Sequence, residues 1–318
     1  MPDAIPPIGF GFWKVAREDA ANVAYQAIEA GYRHLDCAAD YGNEIEVGEG
    51  IARAIAEGLV TRDDLWITSK LWNTFHDPAH VEEGCRKSLD DLGLDYLDLY
   101  LIHFPIALEY VPIAERYPPE WIHDPKAANP QMQRAKVPLH ATWGAMEALA
   151  GKGLVRQIGV CNYNSGLIHD LMSYAKVQPY ALQIEAHPYL VQEKLVRLAK
   201  DYGLEVTAFS PLGAVSYVEI DMAGREDSVL TAPPVVAAAK AHGKTPAQVV
   251  LRWAIQRGTG AIPKTSKAER MRENLAIMDF ALQDAEMAAI TALDRGKRFN
   301  DPGVFTEAAF NTFHPIYD

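Results

Sequence analysis

The chain reads as an α/β protein of the (β/α)8 TIM-barrel class, on three observations. Short apolar runs alternate with helix-period segments along most of its 318 residues. Eight such runs can be found, most of them followed by a helical pattern. No shift in composition marks a linker, so residues 1–318 are expected to form one barrel domain.

The elements follow in order. Residues 17–30 carry Ala20, Val23, Ala24, Ala27 and Ile28 on one face and stop at Gly31. A strand from Tyr32 to Asp36 comes next, then a helix over 44–57 with Val47, Ile51 and Ile55 four apart. The strand 65–71 leads to Asp77 and Pro78, an N-cap and first-turn proline that open a stripe of Val81, Cys85, Leu89 and Leu92 closed by Gly93. Residues 96–103 read as a strand buried on much of both faces. Residues 104–137 are rich in proline and aromatics without periodicity, a long loop of the kind that is usually functional. The alternation resumes with helices over 138–151, 165–175 and 191–202, interleaved with strands ending on Cys161, Glu185 and Ser210. An irregular stretch, 211–233, precedes a helix ending near Gly243, and Thr245 with Pro246 caps the next. The strand 261–264, a last strand IMDF at 277–280, a helix over 283–293 and an irregular tail over the active-site face complete the count.

Composition narrows the function classes. Apolar residues make up 49% and charged residues 23%, the balance of a globular protein with a sizeable core. A net charge of −12 argues against nucleic acid and offers no basic patch to a membrane. Three widely spaced cysteines form neither a disulfide framework nor a metal knuckle. No secretory signal pattern and no span-length apolar run is present, so a cytoplasmic location is expected.

Barrel active sites collect at the C-terminal strand ends. Asp36, Lys70 and His103 close three successive strands, and Tyr41 stands five residues past the first. An ammonium beside a phenol lowers its pKa from about 10, and a carboxylate keeps that ammonium in place. Tyr41 beside Lys70 and Asp36 is therefore expected to be a tuned general acid, with His103 donating to a carbonyl oxygen. Taken singly, each is more often a structural ion pair or a satisfied core group. Their joint placement favours catalysis.

The motifs GFGFW, DCAADYGNE, TSKLW, LIHFP, GVCNYN, QIEAHPY, FSPLG and IPKTSKAERMREN stand in the order and spacing of the aldo-keto reductases, which the chain resembles over nearly its whole length. DYGNEIEVGEG, LIHFPIALEYVPIAERYPPEW, GAVSYVEID and RFNDP resemble the xylose (aldose) reductase branch. The resemblance implies a tetrad of Asp36, Tyr41, Lys70 and His103, with Tyr41 protonating a carbonyl oxygen while a nicotinamide gives hydride to the carbon. It implies NADPH as cofactor: Asn162 and Gln183 on the carboxamide, Phe209 stacked on the ring, Ser210 and Leu212 along the pyrophosphate, and Ser216 and Glu219 on a strap. Lys264, Thr265, Ser266 and Arg270 would meet the 2′-phosphate, and Glu273 and Asn274 the adenine. Two cations so close in sequence suit a dianion. Trp13, Asp40, Phe104 and Asn300 match sugar-contacting positions.

The chain departs from the family pattern in places. Cys161 replaces a serine that bonds the carboxamide, and Phe209 replaces a stacking tyrosine. The N-terminus is short for the hairpin that plugs the barrel bottom. Ser266 stands where some xylose reductases have asparagine, which with Glu219 leaves NADH open as a second coenzyme. The expected function is reduction of aldoses or related carbonyl compounds, by a monomer or homodimer. Rival readings are an aldose-phosphate reductase with a second anion site among Arg116, Lys126, Arg134 and Lys136, a low-turnover NADP-binding sensor, and a Schiff-base aldolase on Lys70. The aldolase would need a desolvated, neutral lysine, which Asp36 opposes.

Overall fold

A computed structural model describes residues 4–318. Its eight strands form one parallel sheet in sequence order: β1 (Phe10–Gly11), β2 (His34–Asp36), β3 (Trp66–Leu71), β4 (Leu97–Ile102), β5 (Val155–Cys161), β6 (Ala181–Glu185), β7 (Glu205–Phe209) and β8 (Gly260–Ala261). Ile8 bridges Ala261 in parallel, and the Ala261 N–H donates to the Pro7 carbonyl at 2.8 Å, so the ring closes. Both β3 and β4 are buried along their full length, as walls covered on two faces must be.

The helices lie where periodicity and caps place them. They are α1 (Arg17–Ala30), α2 (Glu44–Ala56), α3 (Pro78–Leu92), α4 (Leu139–Gly151), α5 (Ser165–Tyr174), α6 (Glu193–Asp201), α7 (Pro233–His242), α8 (Pro246–Gln256), α9 (Ala268–Leu275), α10 (Asp284–Thr291) and α11 (Pro302–Phe310). Asp77 accepts from the Ala79 N–H at the start of α3, and Thr245 and Gln248 cap α8 reciprocally. Gly159 is required by a close approach: a Cβ there would stand 2.4 Å from the Ala181 carbonyl oxygen of β6.

Two expectations are corrected. The segment IMDF is not a strand: Met278 is exposed, Asp279 pairs with Lys244 at 2.6 Å, and the Ile277 carbonyl accepts from Arg252. The eighth stave is Phe10–Gly11 instead, two residues that are too few to show any alternation. The tail is not irregular throughout, because Asp301 and Pro302 open α11, with Asp301 accepting from the Gly303 N–H at 2.8 Å.

Residues 104–137 remain a loop, held by side-chain and tail contacts. Arg116 donates to the carbonyls of Pro119, Ile122 and His123, and Leu108 bridges Arg134. The Met132 N–H donates to Thr312 Oγ1 at 3.1 Å and Asn311 to the Pro130 carbonyl at 2.9 Å, so the loop and tail hold each other. No hairpin precedes Phe10 among the described residues; Ile5 and Tyr180 pack against Trp66, Leu99 and Leu101. Among the described residues no helix is long and apolar enough to cross a membrane.

Candidate active site

Strand alternation points Asp36, Lys70 and Gln183 into the barrel at its C-terminal end. Lys70 is fully buried, and its Nζ donates to Asp36 Oδ1 at 2.5 Å, to the Cys37 carbonyl at 2.8 Å and to the Tyr41 hydroxyl at 3.2 Å. All three ammonium protons are thereby used. The second oxygen of Asp36 accepts from Gln183 Nε2 at 2.6 Å. Tyr41 reaches this floor from a short 3-10 turn, Ala39–Tyr41, and its ring meets His103 edge-on at 5.9 Å.

Burial alone would discharge Lys70, but Asp36 and Tyr41 hold its pKa above the usual lysine range. Burial holds His103 well below the usual imidazole range, with Lys70 adding to the effect, so the ring is neutral. Tyr41 departs from expectation. Lys70 does pull the phenol down, but burial outweighs it and the net direction is up. The hydroxyl therefore stays protonated at neutral pH, and Lys70 acts on the phenolate that forms once the proton has left.

A cavity of about 440 Å³ runs from this floor along the barrel mouth. Trp13, Asp40, Phe104 and Asn300 line it, as do Phe209, Ser210, Leu212, Ser216 and Glu219, and so do Lys264, Thr265, Ser266 and Arg270. Asn162 and Gln183 lie beside the floor, next to Cys161. Asn162 Nδ2 donates to the His103 carbonyl at 2.9 Å, and Cys161 Sγ lies 3.8 Å from Gln183 Oε1. Lys14, Asn162 and Ser210 hold positive φ angles of 59°, 63° and 47°, backbone strain gathered at one site. Lys14 reaches across to Glu219 at 3.2 Å and to the Ser216 carbonyl, clasping the strap over the cleft.

Glu273 and Asn274 are not brought to the cavity. Glu273 accepts from Thr245 at 2.7 Å, and Asn274 is buried on the inner side of α9. Sequence reasoning also missed Lys14, Lys267 and an aromatic wall of Trp121, Phe305 and Phe310. Trp121 stacks on Phe310 at 5.7 Å and meets Phe104 and Trp72 edge-on. The proline-rich loop was a visible signal for Trp121, and the Asp301–Pro302 pair for the helix that carries Phe305 and Phe310.

The residues present fit a dinucleotide carrying an extra phosphate. Lys264, Lys267 and Arg270 make no ion pair among the described residues, although all three line the cavity. Buried amides beside the floor offer both donors and acceptors to a carboxamide. A second anion site is not supported, since none of Arg116, Lys126, Arg134 and Lys136 lines the cavity and Arg116 is occupied by carbonyls. Among the described residues no cluster of His, Cys, Asp and Glu has the makings of a metal site.

Comparison with known proteins agrees with this geometry. Residues 7–295 match the model of the aldo/keto reductase family. The chain is 51% identical over 301 residues to a protein of Arthroderma otae named "Probable NAD(P)H-dependent D-xylose reductase", covering 94% of this chain and 91% of that one. It is 49% identical over 319 residues to an NAD(P)H-dependent D-xylose reductase of Aspergillus niger, covering 98% and 96%. Its fold superposes on the aldose reductase of Schistosoma japonicum with a TM-score of 0.86 at 36% identity, over 99% of this chain and 96% of that one. The chain belongs to the aldo/keto reductase family.

Proposed function

We propose that this protein is an NADPH-preferring aldose reductase that converts open-chain, xylose-like sugars and related aldehydes to alcohols, with NADH as a second coenzyme. One observation carries the reading: the Tyr41 hydroxyl rests on Lys70 at 3.2 Å in a cavity that is also lined by Lys264, Lys267 and Arg270, three cations that make no ion pair among the described residues. When bound, the reduced nicotinamide supplies the hydride that the carbonyl carbon accepts.

The chain's own residues do the rest. Asn162 and Gln183 orient the carboxamide, while Lys264, Thr265, Ser266 and Arg270 hold the 2′-phosphate. Tyr41 and the neutral His103 donate to the carbonyl oxygen and polarise it. As the carbon–hydride bond forms, the C=O π pair moves to oxygen and takes the Tyr41 proton. Lys70, kept charged by Asp36, stabilises the phenolate until solvent reprotonates it. Phe104 and Trp13 wall the substrate, and Asp40 and Asn300 bond its hydroxyls. In this reading the whole chain acts as one barrel domain in the cytoplasm, where its three buried free thiols stay reduced.

Oxidation of NADPH and of NADH with D-xylose, followed for the wild type and Tyr41→Phe, tests the proposal. Turnover preferring NADPH, falling about 10²–10⁴-fold in Tyr41→Phe, is the expected result. Tight NADPH binding without turnover of xylose or glyceraldehyde would favour a cofactor-sensing role instead.

A further inference from the structure

Glu185 ends β6, on the same face as Gln183 and one step nearer the mouth. Its carboxylate is completely buried, and its one ion-pairing neighbour among the described residues is His187. Three donors meet it: His187 Nε2 at 2.9 Å, the Phe299 N–H at 2.9 Å and the Asn300 N–H at 2.8 Å. Two of these three bonds run to the backbone of the tail. The tail is seated further where the Lys297 N–H donates to the Tyr189 carbonyl at 2.9 Å. Gln192 Nε2 donates to the Glu185 carbonyl at 2.6 Å, and Arg298 donates to Gln192 Oε1 at 3.3 Å.

The second observation lies on the other side of that backbone. The Asn300 side chain lines the cavity, and its Oδ1 is buried with no hydrogen-bond partner. A buried acceptor without a partner is costly unless a ligand supplies the donor. Asn300 sits in a tail segment without regular secondary structure, so its aim depends on what grips the main chain beside it.

We propose that Glu185 is a positioning residue for sugar recognition. Its carboxylate fixes the backbone of Phe299 and Asn300, so that the Asn300 amide meets a substrate hydroxyl. Reduction of polyhydroxylated substrates then depends on Glu185, whereas reduction of a hydroxyl-free aldehyde depends on it much less. The proposal rests on the assignment of Asn300 to the sugar site.

The test compares kcat/KM for D-xylose with kcat/KM for propanal, at saturating NADPH, in the wild type, Glu185→Gln, Asn300→Ala and the double variant. Glutamine matches the carboxylate in shape but offers one carbonyl oxygen to three donors. The xylose-to-propanal ratio is expected to fall about 10-fold in Glu185→Gln, chiefly through KM for xylose, as for loss of one charge-assisted bond. Asn300→Ala should lower the same ratio, and the double variant should lower it no further than Asn300→Ala alone. A merely structural role would depress both substrates together and leave the ratio in place.

An unchanged ratio in Glu185→Gln alongside a fallen one in Asn300→Ala overturns the proposal alone. An unchanged ratio in Asn300→Ala overturns the sugar assignment and the proposal with it. Should Glu185→Gln not fold, amide hydrogen exchange of the wild-type segment 297–304 decides. Slow exchange at Phe299 and Asn300 supports the latch, and exchange as fast as an open loop overturns it.

Discussion

Asp36 divides its two oxygens between Lys70 at 2.5 Å and Gln183 at 2.6 Å. One carboxylate therefore aligns both the lysine beside Tyr41 and an amide proposed to hold the cofactor. Substituting it would disturb two functions at once. Asp40, four residues on, is a cleaner probe. Burial in the cleft wall, with Glu120 adding repulsion, pushes its carboxyl up to about 7. It is neutral on the acid side of that value and charged on the alkaline side, where it accepts stronger bonds from hydroxyls. KM for D-xylose is expected to fall as pH rises through about 7 in the wild type, and to stay flat in Asp40→Asn. A profile shared by both proteins would assign the titration to another group.

At the scale of elements, the seam between α2, β3 and α3 hides a second carboxyl. Glu44, at the first position of α2, is 3% exposed and accepts from Ser69 Oγ at 2.6 Å and Ser88 Oγ at 2.8 Å. Burial raises its pKa from 4.5 to about 7, and the two serines offset only part of that. The folded state thus binds a proton that the unfolded state has already released. Stability from this group is present below about pH 4.5 and is lost as pH rises to about 7. The full loss is on the order of 3 kcal/mol. Glu44→Gln removes the titration while keeping a partner for each serine. Its Tm should exceed that of the wild type at pH 8 and converge with it near pH 5, as differential scanning calorimetry would show. The same seam shows why some elements were legible and others were not. Helices α3 and α8 announce themselves by Asp–Pro and Thr–Pro starts, and β3 and β4 by unbroken apolar runs. Strand β1 has only two residues, Phe10 and Gly11, so no period can reveal it, and IMDF mimics a strand without a free sheet edge to join. Asp36, Lys70 and His103 could be read because strand ends in a barrel converge whatever their sequence separation. Trp121, Phe305 and Phe310 could not, since their meeting depends on a loop and tail that carry no period.

Across the whole molecule, 42 acidic against 30 basic residues give a net charge of −12, a field that repels an anionic coenzyme. Lys264, Lys267 and Arg270 interrupt it in the lining of the cavity, with no ion-pair partner among the described residues. In the proposed reading they meet the 2′-phosphate, near −2 at neutral pH and the feature that separates NADPH from NADH. Of the residues proposed to hold it, Ser266 and Arg270 are exposed, whereas the amides at the floor are buried. Exposed ion pairs weaken as the Debye length shrinks from about 14 Å to about 4 Å between roughly 0.05 and 0.5 M salt, and buried hydrogen bonds hardly respond. NADPH affinity is therefore expected to drop more steeply with ionic strength than NADH affinity, as read by quenching of protein fluorescence. Arg270→Met should remove much of that excess slope and cut the NADPH-to-NADH preference about 10-fold, through loss of one bidentate phosphate contact. Parallel salt dependences for the two coenzymes would mean that discrimination lies elsewhere in the cleft, with Glu219 and the strap next to be varied.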